Sequence, residues 1–533
     1  MRLCDKELQN KEQWEAEGFL LPRFDRVSAR EKACREPVWL HLGAGNIFRA
    51  YPAVIQQRLL NYGFQDTGII VAEGYDYEII DAAYTAYDNL SICVTLKTGG
   101  NIDKTIVASI VESIKMDSNG FKRLKDVISA ASLQILSLTI TEKGYNLVSG
   151  DGLIAPDVDA DCISGPFSPI SYMGKLAALC HHRYVNGAAP LALVSMDNCS
   201  HNGYRLYEAI RHFAVEWVNR GFTDSGFLDY VDDPDRLAFP WSMIDKITPR
   251  PDNKVAAILS ESGLEDAAGT VTSKNTFIAP FVNAEESEYL VIEDAFPNGR
   301  PQLEKAGVII TSRETVEKTE KMKVCTCLNP LHTGLAVFGC LLAYERICDE
   351  MKDTTLQKLV RHIADEGLPV VVDPGIISPE EFIDTVINIR LPNPYMPDTP
   401  QRIATDTSQK LSIRFGETIK AYIKGDSRRI ESLRAIPLVQ AGWCRYLLGI
   451  DDNGNTFELS PDPLLGDLTA MLSGLVPGVN ADYMKILLPL LSNEAIFGID
   501  LVEAGVAERV TKYFEMMMTG SGAVRKTLEK VLA

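Results

Sequence analysis

The stretch from Val38 to Leu60, VWLHLGAGNIFRAYPAVIQQRLL, constrains this chain more than any other. Val38 to Leu42 is a short apolar run, Gly43-Ala44-Gly45 is a tight turn, and Phe48 to Leu60 places apolar residues at helical spacing. A buried strand that runs through glycines into a helix is the opening unit of a parallel sheet, because a parallel neighbour is reached only by a crossover. Glycines at such a turn let backbone N–H groups approach a pyrophosphate at the helix N-terminus. The third glycine of the dinucleotide fingerprint is absent, and G-x-G alone is a weak signal. The strand before it and the helix after it strengthen the reading.

The same arrangement recurs downstream. Gly68-Ile69-Ile70-Val71-Ala72 reads as a second apolar strand, ending in Glu73 with Asp76 just beyond. An acid at that place accepts hydrogen bonds from the adenosine ribose and favours NAD over its phosphorylated form. Glu73 and Asp76 share this role, and the alternative for either is a solvated loop acid. Residues 91–95 and 105–110 read as strands around Gly99-Gly100. Residues 133–141 form another buried strand, which runs into Glu142-Lys143-Gly144-Tyr145. Leu191 to Met196 repeats the pattern and is followed by Asp197, Asn198, Asn202 and Gly203. Asn198 either donates to a developing alkoxide or closes a loop. Residues 1–36 read as a short helix and a loop. Strand and helix signals interleave to about residue 311, which predicts a Rossmann-like α/β domain with a mostly parallel sheet over 1–315.

Beyond residue 320 the strand signals thin out. Residues 333–350, 355–366, 378–389, 407–424, 427–449, 464–474, 480–492 and 500–518 carry apolar residues at helical spacing, which predicts a mostly α-helical domain over 316–533. Its opening stretch, Lys321 to Gly339, sets Lys323, Asn329 and His332 along about three helical turns. A basic group, an amide and an imidazole together can handle a substrate oxygen that gains or loses a proton. The plainer alternative is a buried helix with one satisfied histidine and one capping asparagine.

Composition narrows the partners. The chain has 533 residues and a formal net charge of -19, which argues against nucleic acid or an anionic membrane surface as a main partner. An anionic substrate stays open, because a pocket can be locally basic. The eleven cysteines show no zinc-ligand spacing, so no metal is expected, and free thiols suit a reducing cytoplasm. The N-terminal residues lack the apolar core of a signal peptide, and no run of about twenty apolar residues occurs, so no membrane span is expected.

Taken together these stretches resemble the mannitol dehydrogenase family, the polyol-specific long-chain dehydrogenases, along almost the whole chain. The family's G-x-G-x-F-x-R appears as Gly43 to Arg49, its T-x-T-E-x-G-Y as Thr139 to Tyr145, and its D-N-x-x-x-N-G as Asp197 to Gly203. V-D-R-I-T-P appears as Ile244 to Pro249 with Lys246 in place of arginine, and E-D-x-F-x-x-G-R-P as Glu293 to Pro301. A loop pattern of the second domain appears as Asn393-Pro394, Asp398-Thr399, Arg402-Ile403, Asp406, Ser408 and Lys410.

The resemblance implies NAD as cofactor, held around Gly43, Gly45, Ile47, Phe48, Arg49, Glu73, Asp76, Thr141 and Glu142. It implies a lysine as general acid/base, with Asn198, Asn329 and His332 on the reacting oxygen and Asp245 as a link to solvent. The usual family spacing is K-x-x-x-x-N-x-x-H. Here Val324 holds the expected lysine position and Lys323 lies one residue earlier. One residue turns a helix by about 100°. Either a π-type bulge between Lys323 and Asn329 absorbs it, which we expect, or Lys321 takes the role. Lys143, Arg402 and Lys410 would supply positive charge to the substrate, although surface ion pairing is the alternative for the last two. That charge favours a ketouronate, D-fructuronate with D-mannonate, ahead of D-tagaturonate with D-altronate and of fructose with mannitol. A protein that kept the nucleotide fold without the chemistry is the reading of a different class. The expected assembly is a monomer or small homo-oligomer.

Overall fold

A computed structural model of the chain describes residues 1–150, 152–425 and 430–533. It divides into two compact units, Met1–Lys97 with Asn101–Glu317, and Thr98–Gly100 with Lys318–Ala533.

The first unit is built on six parallel strands: β1 (Trp39–Leu42), β2 (Ile69–Glu73), β3 (Ile110–Lys115), β4 (Ile135–Leu138), β5 (Leu191–Ser195) and β6 (Leu237–Ala238). Their order in the sheet is 3-2-1-4-5-6, the doubly wound order in which the chain reverses direction between β1 and β4. Leu40 of β1 lies opposite Ile70 of β2 and Leu136 of β4. The inner strands β1, β2, β4 and β5 are buried along their whole length because both faces are covered, whereas the edge strand β3 carries Glu112, Ser113 and Lys115. Leu40, Leu42, Ile70, Leu136 and Leu193 pack on one face with Leu176, Phe213 and Trp217 of the helices Tyr172–Val185 and Asn202–Asn219. Trp39, Ile69, Val71, Ile135 and Val194 pack on the other with Ile55 and Leu59 of the helix Pro52–Asn61.

The sequence departs from its simplest reading at three places in this unit. The helix expected from Phe48 to Leu60 is two helices, Asn46–Ala50 and Pro52–Asn61, broken at Tyr51 because the residue before proline is disfavoured in the helical region. The strand expected at 105–110 ends at Val107, and Ile110 instead begins β3. Residues 1–36 hold two helices, Lys11–Ala16 and Arg26–Arg35, the second capped by Asp25, whose side chain accepts from the Val27 and Ser28 N–H groups. Three smaller sheets complete the unit among the described residues, one around the antiparallel pair Ser91–Leu96 and Ile102–Val107, one formed by Ser242–Asp245, Tyr289–Glu293 and Ile309–Thr311, and the antiparallel pair Thr270–Val271 and Phe277–Ile278.

The second unit is helical. The helical segment Arg313–Leu341, most of which belongs to this unit, has the length and apolar composition of a membrane span, but 72% of its apolar window is buried inside the fold, as in a core helix. The expected helix at 333–350 is broken after Leu341, where Ala343 adopts a φ of 59°, and resumes as Ile347–Glu350. The expected helix at 407–424 is a short 3-10 turn, a π turn Ser412–Gly416 and the helix Glu417–Lys424. The start of the helix expected at 427–449 lies outside the described residues, and its ordered part is Ala435–Tyr446. Ala523–Val531 is a terminal helix that apolar spacing did not single out.

Candidate active site

The C-terminal ends of β1, β2 and β4 border a cavity of about 550 Å³ in the first unit. Gly43, Gly45, Glu73, Asp76, Thr141 and Lys143 line it. It lies outside the strand ends where the sheet order reverses, the position at which this topology binds ligands. Gly43 has a φ of +103°, and a Cβ there would meet the Thr139 carbonyl oxygen at 2.2 Å. Only glycine lets β1 turn this close to β4.

Three acids hold the cavity in shape. The Glu73 carboxylate accepts from the Ala44 N–H through Oε2 (2.8 Å), and through Oε1 from Tyr75 N–H (2.8 Å) and Asp76 N–H (3.1 Å). Glu73 therefore ties the glycine turn after β1 to the end of β2. Asp76 accepts from the Thr272 hydroxyl through Oδ2 (2.6 Å), and its Oδ1 has no protein donor among the described residues. Asp197 accepts from Ile140 N–H and Thr141 N–H (2.9 Å each) and from the Tyr145 hydroxyl (2.6 Å). It thereby fixes Thr141 at φ 67° and ψ 160°, a conformation costly for a β-branched residue. Burial pushes the Asp197 carboxyl upward, against these hydrogen bonds. The Tyr172 hydroxyl, on the same cavity wall, is buried without a protein partner among the described residues. A cradle closed to any Cβ, an acceptor without a donor and an orphaned hydroxyl together fit a dinucleotide.

Other expected cofactor residues lie elsewhere. Phe48 is buried and stacks on His41 with ring centroids 4.2 Å apart, so its side chain belongs to the core. Arg49 is also buried, donating to the Ala279 carbonyl (2.8 Å) and Asn46 Oδ1 (3.0 Å). Ile47 packs partly against the core, and Glu142 pairs with Arg205 at 2.7 Å. None of the four lines the cavity. His41 is a satisfied core histidine, bridging Ser137 and Thr139, and burial pushes its imidazole down to about 3.

In the D-N-x-x-x-N-G motif Asn198 is exposed, immediately after Asp197. Asn202 is structural: its amide donates to the Ser242 carbonyl (2.9 Å) and accepts from Ser242 N–H (3.0 Å). Asp245 is buried at the end of the strand Ser242–Asp245, opposite Tyr289. Lys246, where the family has arginine, pairs with Glu288 at 2.9 Å.

The helix Arg313–Met322, whose last turns open the second unit, passes into a π turn, Lys323–Cys327, before the helix Asn329–Leu341. Leu328 N–H donates to the Lys323 carbonyl at 3.1 Å, the five-residue bond that takes up one additional residue. Lys323 is 2% exposed, whereas Lys321 is exposed. His332 lies one turn beyond Asn329, its Nε2 buried and 3.4 Å from Asp398 Oδ2. That is an electrostatic contact and not an aligned hydrogen bond, so Nε2 has no hydrogen-bond partner among the described residues. Burial pushes the Asp398 carboxyl up, but His332 and Arg402 more than offset it and hold it below its ordinary value. The Arg402 side chain is 60% exposed and is held by Asp398. Lys410 donates to the Thr405 carbonyl. Burial, then the nearby Arg414, lower its pKa.

Asp398 was legible as a motif residue but not as the partner of His332. Its signal was Arg402 at helical spacing four residues on.

A family profile described as the mannitol dehydrogenase Rossmann domain matches residues 38–305, and one described as the mannitol dehydrogenase C-terminal domain matches residues 315–518. The chain belongs to the mannitol dehydrogenase family. It is a dehydrogenase acting on CH–OH groups. A D-mannonate oxidoreductase of Thermotoga maritima is 52% identical, covering 100% of this chain and 99% of that protein. The Pseudomonas fluorescens mannitol 2-dehydrogenase, solved as a ternary complex with NAD and D-mannitol, superposes with a TM-score of 0.70 at 25% identity, covering 100% of this chain and 99% of that one. A substrate-free D-sorbitol dehydrogenase shares the fold, with a TM-score of 0.79 at 24% identity over 97% of this chain and 98% of that one.

Proposed function

We propose that this dehydrogenase interconverts a ketouronate and the corresponding sugar acid, D-fructuronate and D-mannonate before other pairs. Full-length identity of 52% to a protein named D-mannonate oxidoreductase supports the substrate class. NAD is the cofactor. Gly43 and Gly45 would receive its pyrophosphate, and Asp76, with an oxygen free of protein donors among the described residues, its adenosine ribose. When bound it supplies or accepts the hydride.

The observation that carries the chemistry is the buried Lys323 at the start of a π turn, with Asn329 and His332 on the helix that follows. In the reducing direction the carbonyl oxygen of the substrate gains negative charge. The Asn329 amide donates to that oxygen, and the Lys323 ammonium passes it a proton through Nζ. In the oxidising direction Lys323, neutral, takes the hydroxyl proton back. Nε2 of His332, which lacks an aligned protein partner among the described residues, meets a substrate hydroxyl, and Asp398 holds the ring. On the first unit, Asn198 keeps the amide-donor role and Asp245 the proton-link role that the family motifs imply.

Lys323→Ala and Lys321→Ala, assayed separately, test the assignment. Removing a general acid/base costs about 100- to 10,000-fold in turnover. That loss is expected for Lys323→Ala, with Lys321→Ala close to the parent. The reverse pattern would move the role to Lys321, and no loss in either would remove lysine catalysis from the account.

A further inference from the structure

The fully buried Arg183 and Arg49 are each held by several protein acceptors, whereas the half-buried Arg414 is not. Arg183 donates to five backbone carbonyls, those of Ile128, Ala130, Leu133, Ala189 and Pro190. Arg49 reaches a carbonyl, an amide oxygen and a hydroxyl. Arg414, on the π turn Ser412–Gly416, makes one protein hydrogen bond among the described residues, from Nη1 to the Thr333 hydroxyl at 2.5 Å. Among the described residues its Nε and Nη2 have no protein acceptor and no carboxylate pairs with it. Burial pushes its guanidinium down to about 10, with no carboxylate among the described residues to offset it. A desolvated cation left unpaired is costly and is retained where something else completes it.

The surroundings identify what completes it. Thr333 donates in turn to the Asn329 carbonyl at 2.9 Å, so Arg414 rests on the helical turn that carries Asn329 and His332. The π turn bearing Arg414 packs on the π turn that begins with Lys323. Lys410, one helical turn before Arg414, feels its charge. The acids near Lys410 are Asp406 and Asp462, and Asp462 is occupied by the Ser408 N–H and hydroxyl. Arg402, the more obvious arginine in the sequence, is already paired with Asp398.

We propose that Arg414, assisted by Lys410, forms an anion subsite that takes the carboxylate of the substrate and so sets the preference for sugar acids over neutral polyols. The free edge of the guanidinium, Nε and Nη2, matches two carboxylate oxygens in a fork geometry that lysine cannot reproduce. This inference rests on the sugar-acid reading of the active site.

The test is made on the full-length enzyme with NADH, comparing the parent with Arg414→Gln and Arg414→Lys. D-fructuronate reduction is measured as separate kcat and KM, and calorimetry compares D-mannonate with D-mannitol in the presence of NAD. Loss of a desolvated charged hydrogen-bond pair predicts a rise in KM of about 30- to 100-fold for Arg414→Gln. A much smaller change in kcat is expected, with D-mannonate falling to the affinity of D-mannitol and partial recovery in Arg414→Lys. A parent that reduces D-fructuronate with an unchanged KM in Arg414→Gln would overturn the inference and leave the function standing. Equal weakening of D-mannonate and D-mannitol, with no recovery in Arg414→Lys, would make Arg414 structural and overturn it as well. A parent inert toward every ketouronate but active on fructose 6-phosphate through Arg414 would replace carboxylate by phosphate. A parent inert toward both would remove the reading on which the inference stands.

Discussion

Replacing Glu73 by Gln keeps the size of the side chain and removes the charge that three backbone N–H groups converge on. Two of them, from Tyr75 and Asp76, meet Oε1, and the third, from buried Ala44, meets Oε2. A glutamine amide has one oxygen. If it faces Tyr75 and Asp76, the amide nitrogen faces Ala44 N–H, and two donors oppose each other. If it turns the other way, two N–H groups lose their acceptor. A hydrogen bond to a charged group contributes about 1.5–3 kcal/mol, and an unsatisfied buried donor costs about 1–3 kcal/mol. The smaller loss, at Ala44, predicts a destabilisation of about 2–4 kcal/mol on the same scale. The glycine turn is also the proposed pyrophosphate cradle, so NADH affinity should fall with it. Urea unfolding followed by tryptophan fluorescence, with Trp39 on β1 next to the turn, measures the first effect, and calorimetric titration with NADH the second. Asp76→Asn, which touches only the Thr272 hydroxyl, should weaken NADH while leaving stability nearly unchanged. A Glu73→Gln protein as stable as the parent would refute the argument that this carboxylate holds the turn.

Glu350 is a buried carboxyl packed on Gly339, and neither of its oxygens has a hydrogen-bond partner among the described residues. Burial, with the Asp353 charge adding to it, raises its pKa well above the ordinary value, which favours the neutral form in the fold. In the unfolded chain it ionises at pH ~4.3, so rising pH above that favours unfolding by about 1.4 kcal/mol per unit until the folded-state pKa is passed. Glu350→Gln should therefore gain thermal stability relative to the parent as pH rises from 5 to 8, and a difference that does not change with pH would contradict this. Gly43→Ala forces a Cβ to 2.2 Å from the Thr139 carbonyl at a φ of +103°. A loss of more than about 2 kcal/mol, with loss of NADH binding, is expected in the same unfolding and titration assays.

Local patterns made the first unit legible. The glycine turn after β1, the apolar strands and the acids at their ends are all written within a few residues of one another. The π turn was legible for a different reason. The family spacing between lysine and asparagine fixed a helical register, and one additional residue in it had to be absorbed somewhere. What the sequence did not disclose depends on tertiary neighbours. Phe48 and Arg49 sit inside the glycine motif, yet one stacks on His41 and the other is buried beneath the Ala279 carbonyl. Glu73 reads as a ribose acceptor, but its oxygens are engaged by the backbone it organises. Arg402 and Arg414 have the same charge and nearly adjacent positions. Only the fold reveals that Asp398 pairs with one and that, among the described residues, no carboxylate pairs with the other. The interruption at Ala343 carries no glycine or proline to announce it.

The most direct test of the account follows NADH consumption at 340 nm with D-fructuronate, D-tagaturonate, D-fructose and fructose 6-phosphate, and repeats the series with NADPH. The account predicts turnover with NADH that is highest for a ketouronate, with D-fructuronate first. Turnover confined to D-fructose or fructose 6-phosphate, with both ketouronates inert, would contradict it.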